Sequence, residues 1–361
     1  MRIYNTLSKK KEKFKINGEI KIFICGPTVY DHLHLGHART YIFFDSLIRF
    51  LKLEGYKVNL VMNITDIDDS ILEKAKEESY EEIVNRYYNS LLEDFKALRL
   101  EGLNHLVKVS DYVDKAIEQL KVLMEKGLAY KLDKGIYFDT SKLKDFGKLL
   151  GKSFNELTFI RVDINKGKKN PQDFLLWINS KDKPCWDSPW GKGRPYWHLQ
   201  DTSVSLTLLG KHYDIHGGGK ELIYPHHEAQ RAIVESLTGL APKFWIHTGS
   251  LLYKGEKMSK SKGNYITIKE ALKKYDSNTL RLYFLSHPYK EDLEYKEEDL
   301  KKAKEDVNRI KGANFKEGFL YDEFKEALLD DFNFPKAKEV LLENLDKGIS
   351  KEMLYVFGLE I

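Results

Sequence analysis

The alternation of apolar and polar positions predicts a strand over residues 20–25, an apolar helix over 38–53 and a second strand over 56–64. A strand–helix–strand unit of this kind is the building block of a doubly wound parallel sheet, so the fold class is α/β. Helical periodicity runs through 71–98 and 111–126. The stretch 143–195 is rich in Gly, Lys and Pro and reads as an irregular insertion. Strand character returns at 212–216 and 244–247. From residue 268 onward the chain is charged and mostly helical, interrupted at Pro288 and Pro335. The lysine-rich run from Lys9 to Lys13 reads as a solvated connector between two early strands. There is no internal repeat.

Composition narrows the class. The 361 residues, 42% hydrophobic and 12% aromatic, suit a packed globular protein of two or three domains. No apolar run approaches the roughly 18 residues that would span a bilayer, so no membrane partner is expected. The first residues lack the apolar core of a secretory signal. Two cysteines, Cys25 and Cys185, make no disulfide framework, and a reducing cytoplasm is the default setting. The net charge of +4 permits an RNA partner without demanding one. A charged fraction of 32%, rich in Lys and Glu, is compatible with a heat-adapted source.

Two short segments carry the chemistry. His34-Leu35-Gly36-His37 follows the first apolar run and opens the helix, where unpaired N–H groups and the helix dipole favour an anion. Two histidines there add side-chain donors for a polyphosphate. Lys257-Met258-Ser259-Lys260-Ser261 lies between Gly255 and Gly263, and its ammonium groups can swing onto a developing pyrophosphate. Competing motifs fail. The glycine spacing from Gly147 to Ser153 is one residue short of a phosphate loop, and Arg231 stands where a zincin needs its second histidine after His227-Glu228. His216-Gly217-Gly218-Gly219 has no accompanying nucleophile elbow. The carboxylates from Asp66 to Asp69 lack calcium-loop spacing.

Together and in this order, the two segments resemble the paired HIGH and KMSKS signatures of class I aminoacyl-tRNA synthetases. Their surroundings resemble cysteinyl-tRNA synthetase more specifically. These are the run from Cys25 to Asp31, Asn63 to Asp69, Ser188-Pro189-Trp190-Gly191 with Arg194-Pro195, His216 to Gly219, Pro225 to Glu228, and Gly255 to Asn264. The resemblance reaches to about residue 330. It implies a Rossmann-type parallel-sheet catalytic domain (1–100 and 190–264), a connective insertion (101–189) and a helical, tRNA-stem-contacting region (265–361).

It also implies ATP-dependent activation of cysteine and its transfer to tRNA, with Mg²⁺ accompanying the ATP. His34, His37, Lys257 and Lys260 take the catalytic roles. Thr28, Gly36, Gly217, Gly218, Glu221 and Met258 join them in holding ATP, with Gly219 beside the adenosine. Glu221 stands where the family usually has aspartate. Cys25, Thr65 and Trp197 shape the amino-acid pocket.

The family binds a zinc ion that takes the substrate thiolate, using two cysteines, a histidine and a glutamate. Cys25 and His226 match; Asp201 and Gln230 stand at the other two positions. Cysteine, aspartate and histidine are competent zinc ligands, and three of them leave one position open. Glutamine is neutral and a poor ligand. Two arrangements stay open: a zinc site of Cys25, Asp201 and His226, or Asp201 and Gln230 bonded to each other and to His226. The chain ends about where the family's anticodon-reading domain begins, so acceptor-stem contacts, and a separate anticodon-binding partner, are the expectation for a protein read as a monomer. Other readings of the same signatures are a ligase joining cysteine or another small amino acid to a different acceptor, and a silent paralogue.

Overall fold

In a computed structural model, which describes residues 1–15, 18–159 and 165–361, the chain opens with a hairpin of β1 (Arg2–Asn5) and β2 (Lys10–Lys13). The lysine-rich run is therefore a strand and not a connector: Lys9 turns with positive φ, and Arg2 to Asn5 supply the backbone partners. β3 (Ile20–Ile24), α1 (Leu35–Leu53) and β4 (Val58–Ile64) form the expected parallel unit. α2 (Asp69–Lys74) and α3 (Tyr80–Ala97) replace one long helix, with Ser79 capping the second. β5 (His105–Lys108) then pairs with β4.

α4 (Val113–Glu125) leads into a four-stranded antiparallel sheet. Its strands are β6 (Ala129–Leu132), β7 (Gly135–Phe138), β8 (Phe174–Asn179) and β9 (Gly193–Pro195). The stretch read as irregular thus contributes two strands; residues 160–164 of it lie outside the described residues. β8 reads as apolar on both faces because it packs centrally, and its alternation is hidden.

α5 (Trp197–Leu209), β10 (Ile215–Gly219), α6 (Glu228–Thr238) and β11 (Phe244–Thr248) return to the first sheet. All its strands run parallel, in the order β11-β10-β3-β4-β5. Strand β12 (Leu251–Tyr253) pairs with β13 (Glu256–Lys257) and, beyond α7 (Ile268–Leu272) and α8 (Ser277–Leu285), with β14 (Leu293–Glu294). Helices α9 (Glu297–Lys311), α10 (Asp322–Leu329), α11 (Phe334–Glu343) and α12 (Lys351–Phe357) finish the chain.

Strand periodicity decides what faces what. Ile20, Ile22 and Ile24 of β3 pack with α1 and the C-terminal helices. Phe23 and Cys25 point to the opposite face, into a second core with α4, α5 and α6. β3 lies where neighbouring connections depart to opposite sides, and crevices at such points are the usual ligand sites of parallel sheets. Among the described residues, no helix is long and apolar enough to cross a membrane.

Candidate active site

The C-terminal ends of β3 and β10 open onto a cavity of about 310 Å³. On one side stands the first turn of α1, which begins three residues earlier than periodicity alone predicts. His34 is its N-cap: the His34 Nδ1 accepts the Gly36 N–H at 3.0 Å, and the His37 Nδ1 accepts the His34 N–H at 3.2 Å. This is a capping box built from two imidazoles. Accepting at Nδ1 leaves the proton of each neutral ring on Nε2, so each ring keeps one N–H donor. Burial pulls His34 down to about 4, and the nearby Lys260 and Lys257 charges push the same way. His37 is likewise held well below its ordinary value, by burial first and then by His34. Both rings line the cavity as neutral donors at pH 7.

Facing them is the β12–β13 hairpin. Met258 is buried and its N–H bonds the Leu251 carbonyl at 2.8 Å, which pins the loop between the two lysines. The Lys260 ammonium sits 4.4 Å from the centroid of the Tyr30 ring, a cation–π contact. Burial lowers Lys260 to about 8. Lys257 Nζ lies 3.7 Å from Glu221 Oε1, a reach that the extra methylene of glutamate assists. Thr28 and Thr65 line the cavity and bridge β3's extension to β4's.

The glycines of β10 also meet a packing demand. Gly217 and Gly218 lie behind the cavity wall, where a Cβ would come within 2.3 Å of the Phe44 ring and 2.9 Å of the His227 ring. They let α1 and His227 pack close to the sheet. Only Gly219 of the three lines the cavity.

On the opposite face of β3, Cys25 meets Asp201, His226 and Gln230. The atoms Cys25 Sγ, Asp201 Oδ2, His226 Nε2 and Gln230 Nε2 define six separations, all between 2.7 and 3.5 Å. All four residues are buried. Asn63 donates to Asp201 Oδ1 at 2.9 Å, His198 Nδ1 lies 2.8 Å from His226 Nδ1, and Trp197 stacks on His226 with centroids 4.5 Å apart. Burial, then the Asp201 charge, pushes the Cys25 thiol well up.

Donor accounting tests whether this cluster suits a cation. With Asp201 ionised, a His226 proton on Nε2 faces the Gln230 N–H group, while a lone pair there faces the carboxylate. Turning the Gln230 amide over points its oxygen at the carboxylate instead. Each arrangement leaves at least one repulsive contact at 2.7–2.9 Å. A cation at the centre converts all of these lone pairs into ligands. It would also use the Gln230 Oε1, which is buried without a hydrogen-bond partner. Bonds of roughly 2.0–2.3 Å give tetrahedral edges of roughly 3.3–3.7 Å, so the cluster would open by about half an ångström. The residues fit a metal.

Behind Cys25, buried imidazoles form a second layer. His227 Nδ1 lies 2.8 Å from His247 Nε2, and His247 Nδ1 lies 2.9 Å from Thr6 Oγ1. Burial lowers the pKa of His216, His227 and His247 alike, keeping the layer neutral. Sequence reading missed Tyr30, Asn63 and His198. Tyr30 and Asn63 stand inside segments already singled out, but no spacing rule says which ring a lysine will meet.

A parallel sheet whose crossover helix starts with a histidine box, facing a lysine hairpin, defines the class I aminoacyl-tRNA synthetase fold. Solved structures agree. The Mycobacterium tuberculosis methionyl-tRNA synthetase in complex with methionyl-adenylate matches 95% of this chain and 82% of its own, with a TM-score of 0.66 at 16% identity. An Agrobacterium radiobacter LeuRS–tRNA complex matches 96% and 83%, with a TM-score of 0.62 at 11% identity.

Residues 11–305 match the family described as tRNA synthetases class I (C) catalytic domain, and the chain belongs to that family. Cysteine–tRNA ligases are similar along most of its length. That of Thermoplasma volcanium is 40% identical over 99% of this chain and 86% of its own. That of Thermococcus onnurineus is 42% identical over 95% and 79%. For the Pyrococcus furiosus enzyme, at 48% identity, the match covers 83% of this chain and 64% of the relative.

Proposed function

We propose that this chain is a cysteine–tRNA ligase: it activates cysteine with ATP and transfers the cysteinyl group to tRNA. The observation that carries the proposal is the meeting of two neutral imidazole donors and two lysines across one cavity floored by Cys25 and its cluster. In the first step a carboxylate oxygen of cysteine bonds to the α-phosphorus of ATP, and the bond to the bridging oxygen breaks to release pyrophosphate. In the second, a ribose hydroxyl of tRNA attacks the acyl carbon and AMP departs.

The first step needs alignment of two anions and neutralisation of charge on phosphoryl oxygens, more than proton transfer. His34 and His37 would donate their Nε2 protons to the phosphates. Neutral donors hold an anion without trapping it as two imidazolium ions would. Lys260, released from Tyr30, and Lys257, released from Glu221, would meet the departing pyrophosphate. Gly36 and Met258 would shape the ATP site, with Thr28 and Gly219 placing its nucleoside side. Glu221 serves the ribose only when Lys257 lets it go.

Cys25, Asp201 and His226 would hold a divalent metal, with the Gln230 amide oxygen close enough to join them. Zinc there supplies a centre that prefers sulfur, which separates cysteine from serine where pocket contacts alone do so poorly. Thr65 and Trp197 would close the pocket around the side chain. Mg²⁺ with ATP, acceptor-stem contact by the helices after residue 265, and action as a cytoplasmic monomer belong to the same proposal. So does a division into a catalytic domain, an insertion and a helical region, with β5 placed on the catalytic sheet and β9 on the insertion's sheet.

ATP–pyrophosphate exchange against all twenty amino acids, with and without a zinc chelator, tests it. Exchange with cysteine alone, lost on chelation, is expected. Exchange with a different amino acid would overturn the substrate, and chelator-resistant exchange would overturn the metal.

A further inference from the structure

Arg39 stands two residues after His37, is 3% exposed, and makes hydrogen bonds to main-chain oxygens of two separate loops. Its Nη1 donates to the carbonyls of Gly249 and Ser250, at 2.9 and 2.8 Å. Its Nη2 donates to those of Pro288, at 3.2 Å, and Glu291. Gly249 and Ser250 are the root of the hairpin that carries Lys257 and runs on into the turn carrying Lys260, and both line the cavity. The root is packed tightly: a Cβ on Gly249 would come within 2.0 Å of the Glu291 carbonyl oxygen. Ser250 O also accepts the Leu293 N–H, and Ser250 N donates to Asp292.

The far end of the same loop returns to the first signature through the backbone. Leu35 N donates to Ile266 O at 2.9 Å, and Ile268 N donates to Leu33 O at 3.0 Å. The lysine loop is therefore tied at both ends to the segment from Leu33 to Arg39. One tie is a pair of backbone hydrogen bonds, which any sequence could make. The other is the Arg39 guanidinium, next to a Thr40 Oγ1–Thr248 Oγ1 hydrogen bond at 2.7 Å. Its planar fork reaches several carbonyls at once, which a lysine ammonium on a flexible stem does not reproduce.

We propose that Arg39 is a positioning residue for adenylate formation: it fixes the distance between the histidines of α1 and the lysines of the β12–β13 hairpin. It stands outside the cavity lining and acts through the carbonyls it holds. The inference rests on the ligase reading for its readout, and on the geometry for its cause. Burial lowers the Arg39 pKa to about 10, so the side chain stays charged at pH 7 and keeps all its donors.

The test is a double-mutant cycle read by ATP–pyrophosphate exchange, with Arg39→Lys, Lys260→Ala and the pair in the full chain. Arg39→Lys keeps the charge and loses the fork. Misplacing reacting groups by an ångström costs about 10²-fold, so kcat should fall by about that factor while KM for cysteine holds. In the Lys260→Ala background, Arg39→Lys should cost about tenfold or less, because one of the two lysines it positions is gone. A residue needed only for folding would cost the same in both backgrounds and would lower the melting temperature in step. Equal costs, or normal exchange by Arg39→Lys, would overturn the inference. Exchange failing in the unmutated chain would instead overturn the ligase reading. Arg39→Met, read by thermal melting, measures the purely structural share.

Discussion

The two sides of the active site differ in how their residues are held. On the α1 face of β3, the proposed phosphate side is framed by the backbone, with only the lysine heads resting on side chains, Tyr30 and Glu221. His34 and His37 are oriented by main-chain N–H groups, Met258 by a main-chain carbonyl, and the lysine hairpin by carbonyls that Arg39 grips. On the opposite face, the thiol side is held by side chains meeting side chains from three distant elements. A backbone-governed site needs its short motif intact, and here both signatures are. A cluster of side chains tolerates exchange of one ligand type for another. Asp201 and Gln230 are where the resemblance leads one to expect a cysteine and a glutamate.

The largest expected effect breaks the phosphate side. Lys260→Ala should lower adenylate formation by about 10²–10³-fold at unchanged melting temperature. Near-normal exchange would mean that the hairpin positions ATP by its backbone alone.

Next come substitutions on the thiol side. Asp201→Ala should abolish stoichiometric zinc, measured by metal content after gel filtration, whereas Gln230→Glu should tighten zinc about tenfold in a chelator competition by adding a second carboxylate. If Asp201→Ala keeps its zinc, the ligands are others, and Cys25 with His216 and His227 is the next set whose donor atoms lie within 4.8 Å of one another.

A pH profile sharpens the contrast further. Lys260 must be charged to meet a phosphate and loses its proton near pH 8 in the free protein. So kcat/KM for ATP should fall about tenfold per pH unit above that value, and Lys260→Arg should flatten the limb. His34, neutral above about 4, contributes no limb between pH 5 and 8.

The smallest effect concerns the frame beneath the phosphate side. Asp94 on α3 is 1% exposed and burial raises it to about 6. Its folded pKa thus exceeds the unfolded value of about 3.9. The protonated form is the one the fold accepts, so stability is lost as pH rises from 4 through 6. Asp94→Asn should be neutral at pH 4 and melt a few degrees higher at pH 8, checked by thermal denaturation; equal melting at both pH values would sink the assignment.

How much was legible in the sequence follows the same divide. The unit of β3, α1 and β4 was readable because its periodicities are local, and the two signatures because their residues are contiguous. The insertion's sheet was not. β8 is apolar on both faces, and β9 is a short strand ending in proline, paired only through partners elsewhere in the chain. The packing role of Gly217 and Gly218 was not legible for a similar reason: their crowding neighbours, Phe44 and His227, come from other elements.

By itself the sequence determined the strand periods that send Cys25 to one face and Ile24 to the other, and the motif spacing that places two histidines in one helical turn. Those are consequences of backbone geometry within a few residues. Tertiary structure alone decided that Cys25 and Asp201, 176 positions apart, lie 2.9 Å from each other, that Lys260 rests on Tyr30, and that Arg39 grips a loop about 210 positions away. Such contacts depend on how whole faces pack, and no local preference along a chain encodes which distant side chain completes a buried polar group.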